Sequence, residues 1–101
     1  MALETVGPIQ ELPDRESTLF RSGPYQIALF RIDDEVRAID NECPHAGASL
    51  SMGETDGETV YCPWHMWGFD TKTGVCMTIS GCQVDVYPVV IENGIVKVDL
   101  P

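Results

Sequence analysis

Apolar and polar residues along this chain change over in short runs at strand spacing, not at helical spacing. The plainest run is the last. From Ile95 to Leu100, Val96, Val98 and Leu100 alternate with Ile95, Lys97 and Asp99, the pattern of a strand with one buried face. It follows Glu92-Asn93-Gly94, the clearest hairpin turn in the chain. Tyr25 to Ile32 is rich in strand formers and continuously apolar in its middle. Asp33-Asp34 turns it into Val36 to Ile39, so the two predict a β-hairpin. Leu3 to Gly7 predicts a short first strand closed by Gly7-Pro8, and Ile9 to Asp14 a loop broken by Pro13. Glu16 to Arg21 alternates loosely and ends in the turn Ser22-Gly23-Pro24. Leu50 to Glu58, polar and containing Gly53 and Gly57, predicts a surface excursion. Short strands are expected at Thr59 to Tyr61 and Trp67 to Asp70, with a turn at Thr71 to Gly74. Val84 to Ile91 predicts a strand in which Pro88 marks an edge or a bulge. No helix longer than a turn or two, no repeat and no linker interrupts this pattern. It predicts one small all-β domain over residues 1–101.

Charge narrows the partners. The chain carries 16 acidic and 6 basic residues, a net charge of −10. No base lies between Arg37 and Lys72, whereas Asp40, Glu42, Glu54, Asp56, Glu58 and Asp70 do. Nucleic acid and anionic membranes are poor partners for such a surface. A basic patch on a partner protein is a good one. No apolar run approaches the length of a membrane span. The start, Met1-Ala2-Leu3-Glu4, lacks the basic and apolar regions of a signal peptide. A cytoplasmic protein with reduced thiols is expected.

The chemistry concentrates in residues 43–65. Cys43-Pro44-His45-Ala46-Gly47 is followed, after the sixteen residues that separate His45 from Cys62, by Cys62-Pro63-Trp64-His65. Both histidines of the chain and two of its four cysteines lie here. Two Cys and two His suit a metal. Zinc accepts that set, but its usual spacing pairs Cys with Cys and His with His. Here each loop offers one thiolate and one imidazole. That suits a two-iron cluster in which one iron takes both cysteines and the other takes both histidines.

These two motifs, with Trp67-Gly68-Phe69-Asp70-Thr71-Lys72-Thr73-Gly74 after them, resemble the Rieske [2Fe-2S] family, and its small soluble ferredoxins most closely. The resemblance covers residues 40–75 closely and the rest in outline. It implies the Rieske fold, small stacked antiparallel sheets with two cluster-binding loops at one tip. It implies one [2Fe-2S] cluster per chain, with Cys43 and Cys62 on the inner iron and His45 and His65 on the outer. The imidazole edges would reach the surface, where the electron leaves. High-potential members carry a serine and a tyrosine hydroxyl two and four residues after the second histidine, and a disulfide between the loops. Here Trp67 and Phe69 hold the hydroxyl places, and Ala48 and Trp64 those of the disulfide. Together with the nearby acids, these differences imply the lower part of the range of roughly −150 to +300 mV.

Three positions depart from the family. Met66 stands where glycine is common; core packing is expected of it, with shielding of one side of the cluster as the alternative. Residues 78–83 lack the proline of the usual loop over the cluster. Cys76 and Cys82 have no partner histidines and are expected to be small buried hydrophobes, a redox disulfide being the alternative. Gly47, Gly68 and Gly74 are expected at tight turns or close approaches. Trp67 is expected in the core, and Trp64 could meet a partner.

The resemblance implies a one-electron carrier that is not itself an enzyme, passing electrons from a flavin reductase to a terminal oxygenase. The alternative is the small subunit of an NADH-dependent nitrite reductase-like or other multicomponent oxidoreductase. A catalytic Rieske oxygenase is excluded, since no histidine remains for a mononuclear iron. A membrane-anchored cytochrome-complex subunit is excluded by the missing anchor helix and loop cysteines.

Overall fold

A computed structural model describes residues 2–44, 47–64 and 66–101. The described residues form small antiparallel sheets with two short 3-10 turns, Ile9–Glu11 and Leu50–Met52. The strands are β1 (Ala2–Pro8), β2 (Ser17–Ser22), β3 (Tyr25–Ile32), β4 (Glu35–Asp40), β5 (Thr59–Tyr61), β6 (Gly68–Asp70), β7 (Val86–Tyr87), β8 (Val89–Glu92) and β9 (Ile95–Leu100). They assemble in the orders β1-β9-β8, β2-β3-β4-β7 and β5-β6.

The β2-β3-β4-β7 sheet is the middle layer, and its two central strands explain the continuous apolar run of the sequence. Successive side chains on a strand point to opposite faces. On β3, Ile27 and Leu29 enter one core with Val36, Ala38, Val96, Val98 and Leu100. Ala28 and Phe30, with Ile39 of β4, enter another, which contains Cys43, Leu50, Val60, Cys62 and Phe69. A strand buried on both faces has no room for polar alternation. β9 covers one face only, and its alternation of half-buried and buried residues is the one the sequence predicts.

The hairpin between β8 and β9 has Asn93 at φ +53° and Gly94 at φ +77°. Left-handed dihedrals at both central residues define the turn that matches strand twist. Pro88 does not sit on an edge or bulge of one long strand. The predicted 84–91 strand divides there: β7 pairs with β4 and β8 with β9. The proline, which has no N–H for a ladder, marks the crossover between two sheets, and its carbonyl still accepts from Asp99 N–H at 2.9 Å.

The segment 50–58 is the surface excursion its polarity predicts, with Met52, Glu54, Asp56 and Glu58 exposed, but it is anchored at both ends. Leu50 is fully buried and Gly57 is buried. Thr71, fully buried, holds this segment to the end of β6. Its Oγ1 donates to the Gly57 carbonyl at 2.7 Å and accepts from Arg37 Nη1 at 3.1 Å, while its N–H donates to the Glu58 carbonyl at 3.0 Å. Thr71→Val keeps the volume and strands a buried carbonyl and a guanidinium donor. It is expected to lower the unfolding free energy by about 1–3 kcal/mol in a urea titration. A midpoint equal to wild type would show that the hydroxyl is not what ties the segment down.

Candidate metal centre

The first loop leaves β4 and the second joins β5 to β6, and the two are built alike. Each begins one residue past an antiparallel pair, Glu42 with Ser49 in the first and Tyr61 with Gly68 in the second. In the first, Cys43 N–H donates to the Ala48 carbonyl at 2.9 Å, and Gly47 N–H donates to the Cys43 carbonyl at 2.7 Å. In the second, Cys62 N–H donates to the Trp67 carbonyl at 2.9 Å, and Met66 N–H to the Cys62 carbonyl at 2.8 Å. The fourth residue after each cysteine is left-handed, Gly47 at φ +70° and Met66 at φ +58°. Proline follows each cysteine, as Pro44 and Pro63.

Repeating this backbone at two places sets the two cysteines at equivalent points. Cys43 is 1% exposed and Cys62 0%, they share one core, and neither is in a disulfide. Buried cysteines on two converging loops, presenting soft sulfur without a disulfide between them, fit a thiolate-held iron centre. They are the described half of the predicted ligand set. His45 and His65 lie outside the described residues, as does Ala46. Among the described residues no three His, Cys, Asp or Glu side chains converge into a metal site.

Each loop is braced from outside. Asn41, buried, donates from Nδ2 to Ser49 Oγ at 2.7 Å and accepts at Oδ1 from Ser51 N–H at 2.8 Å, fixing the exit of the first loop. Gly68, at the exit of the second, donates to Thr78 Oγ1 at 3.0 Å and accepts from Met77 N–H at 2.7 Å. A Cβ on Gly68 would meet the Tyr61 ring at 3.1 Å, so the close approach expected there is to an aromatic ring. Gly74, at φ +76°, has the Val84 carbonyl where a Cβ would go. The residues 78–83 thus brace the second loop through Thr78, although they lack the family's proline.

Met66 is not packed as its apolar character predicts. It is 54% exposed, because the left-handed turn at its position serves the loop's hydrogen bond and not the core. The signal was present in the spacing: Met66 stands four residues after Cys62, as Gly47 stands after Cys43. Trp67 packs partly buried against the core, and Trp64 is 67% exposed. Cys76 is buried and Cys82 half-buried against the same core.

The first loop borders an acidic hollow. Asp40, Glu42 and Asp85 line it with Gly47 and Ala48. Burial, then the Asp85 and Glu42 charges, push the Asp40 carboxyl above its ordinary value, against a partial offset from the Glu42 N–H. Burial and the same acidic neighbours, Asp40 and Asp85, push the Tyr87 hydroxyl up.

An all-β fold presenting two matched cysteine loops beside one core fits an iron–sulfur protein of the electron-transfer class. The Rieske [2Fe-2S] domain model matches residues 3–88. The 3-phenylpropionate/cinnamic acid dioxygenase ferredoxin subunit of Escherichia coli K12 is 36% identical over 96 residues, covering 93% of this chain and 90% of that protein. The chain belongs to the Rieske [2Fe-2S] family, and a Rieske-type cluster is its cofactor. The ferredoxin in a complex of reduced oxygenase and oxidised ferredoxin of carbazole 1,9a-dioxygenase superposes with a TM-score of 0.85 at 29% identity, over 95% of this chain and 100% of that one. A putative NADH-dependent nitrite reductase small subunit from Mycobacterium tuberculosis superposes with a TM-score of 0.85 at 28% identity, over 96% of this chain and 93% of that one. The chain is an electron-transfer component and not a catalyst. Among the described residues no helix is long and apolar enough to cross a membrane.

Met66→Gly removes the side chain that a left-handed residue tolerates poorly, a cost of roughly 1–2 kcal/mol, against a larger unfolded-state entropy of roughly 0.5–1 kcal/mol. The variant is expected to melt a few degrees above wild type in a thermal scan. A lower melting temperature would mean that Met66 makes a stabilising contact that outweighs its backbone strain.

A carboxyl with a raised folded pKa binds its proton more tightly when folded. Stability therefore falls as pH climbs from about the ordinary value of 3.8 through the raised one. Asp40→Asn is expected to be more stable than wild type at neutral pH. The difference should close as pH approaches 3.8. Denaturation curves showing no gain at neutral pH would contradict this.

Proposed function

We propose that this chain receives single electrons from a flavin-containing reductase and passes them to a terminal oxygenase, with residues 1–101 acting as one cluster-binding domain in the cytoplasm. The ligands proposed are Cys43 and Cys62 on one iron and His45 and His65 on the other. The observation that carries this reading is the repeated loop backbone, which sets Cys43 and Cys62 at equivalent buried points one residue past a strand pair. The ferredoxin identity of the E. coli relative and the oxygenase complex of the carbazole system support the choice of partner.

The cluster supplies a one-electron couple. The protein's residues bind and tune it. Two thiolates on one side and two neutral imidazoles on the other make the ligand charge asymmetric. Met66 N–H and Gly47 N–H close the two loops and hold the cysteine backbones still. The fully buried Phe69 and the half-buried Trp67 pack where high-potential relatives carry hydroxyls, and neither side chain offers one. Asp40, Glu42 and Asp85 beside the first loop attract a basic patch on the partner. Four cysteines with no disulfide among them suit a reducing compartment.

The nitrite reductase small subunit fold is equally close in shape, and stable co-purification with a large partner would favour that second reading. Protein purified without oxygen is expected to carry equal amounts of iron and acid-labile sulfide and to take up one electron. Its potential should fall in the lower part of the range of roughly −150 to +300 mV. Bound zinc without sulfide would overturn the ligand assignment. A potential near the top of that range would overturn the tuning argument.

A further inference from the structure

We propose that Cys76 and Cys82 form a dithiol–disulfide pair whose oxidation closes the 76–82 loop covalently beside the second cluster loop. Neither thiol belongs to the proposed ligand set, so the inference stands apart from the electron-carrier reading.

The register places the two residues face to face. Val75 pairs with Gln83 in an antiparallel bridge. Cys76 N–H donates to the Cys82 carbonyl at 3.0 Å, and Val84 N–H donates to the Gly74 carbonyl at 2.8 Å. Cys76 and Cys82 therefore stand opposite each other beside the Val75–Gln83 bridge, joined by one backbone hydrogen bond. Opposed residues of an antiparallel pair have Cα atoms about 4.5–5.5 Å apart, inside the ~4.4–6.8 Å that disulfides span. Opposed side chains project from the same face. Both thiols are free.

Their exposure is unequal in a useful way. Cys82 is partly accessible, whereas Cys76 is 4% exposed. An outside reagent meets Cys82 first, and Cys76 waits behind it. The Cys76 sulfur also accepts from Ile79 N–H at 3.4 Å. Between the two cysteines, Met77 and Thr78 hold the N–H and carbonyl of Gly68. A covalent closure of this loop therefore bears on the exit of the second cluster loop.

The oxidant is a small-molecule disulfide of the glutathione type. Cys82 loses its proton to solvent and attacks one sulfur of the reagent. That breaks the reagent's S–S bond, expels one thiolate and leaves a mixed disulfide on Cys82. Cys76 then loses its proton and attacks the Cys82 sulfur. The 76–82 bond forms, the mixed bond breaks and a second thiolate leaves. The two expelled thiolates take up the two protons, and two electrons pass from the protein to the reagent. Burial and the adjacent Cys76 hold the Cys82 thiol above its ordinary 9.0, so the exchange quickens with rising pH.

The test treats the cluster-loaded protein with oxidised glutathione at mildly alkaline pH, quenches with acid, alkylates, and reads intact mass and peptide map. The expected result is a loss of two hydrogens, a linked Cys76–Cys82 peptide and full reversal by dithiothreitol. Cys76→Ser should instead accumulate a glutathione adduct on Cys82. Wild-type protein in which both cysteines remain alkylatable, or in which the Cys82 adduct persists, overturns the proposal. So does linkage of either sulfur to Cys43 or Cys62. The wild-type map decides the matter even if the variant fails to fold.

Discussion

The structure depends on one local constraint, the reversal of the chain within four residues after each of two buried cysteines. Both reversals use the same pair of backbone hydrogen bonds and the same left-handed dihedral. Burying two sulfurs in a core this small is costly if they are thiolates without a cation beside them. Loops closed by these hydrogen bonds that present both sulfurs to one centre turn that cost into a binding site. The side chain at the reversal point matters little for packing, which is why glycine serves one loop and an exposed methionine the other.

What supports the loops is the double-sided middle sheet. β3 and β4 send alternate residues into two cores, one under the β1-β9-β8 sheet and one under the cysteine loops. The cysteine half is thus anchored on Ala28, Phe30 and Ile39, residues of the longest strand and its neighbour. The outer half, β1-β9-β8, carries no candidate ligand and completes the other core. Asn41, Thr71 and Thr78 then use side-chain hydrogen bonds to join irregular segments that strand pairing cannot reach.

Much of this was legible in the residues. β3, β5 and β9 begin and end where alternation and turn chemistry predict, since each is bounded by a strong turn signal or a cysteine loop. The Cys-x-His and Cys-x-x-His motifs point to the family that the domain match and the relatives establish. Other features were not legible. Pro88 predicts a defect within one strand, but whether a strand bulges or passes to another sheet depends on which neighbours exist, which is a tertiary matter. The 50–58 segment is polar and largely exposed, but Leu50 and Gly57 anchor it through packing and backbone partners that composition does not record. Met66 misleads because side-chain hydropathy says nothing of a φ imposed by a loop. The facing of Cys76 and Cys82 needs a register that only the paired backbone supplies.

The central claim is that two loops clamp one asymmetric cluster, sulfur on one side and imidazole on the other. The most direct measurement is pulsed electron paramagnetic resonance of the reduced protein carrying nitrogen-15-labelled histidine. The account predicts nitrogen-15 hyperfine coupling to two imidazole nitrogens, one each from His45 and His65, both replaced by nitrogen-14 couplings in unlabelled protein. Coupling to a single histidine, or to none, would contradict it.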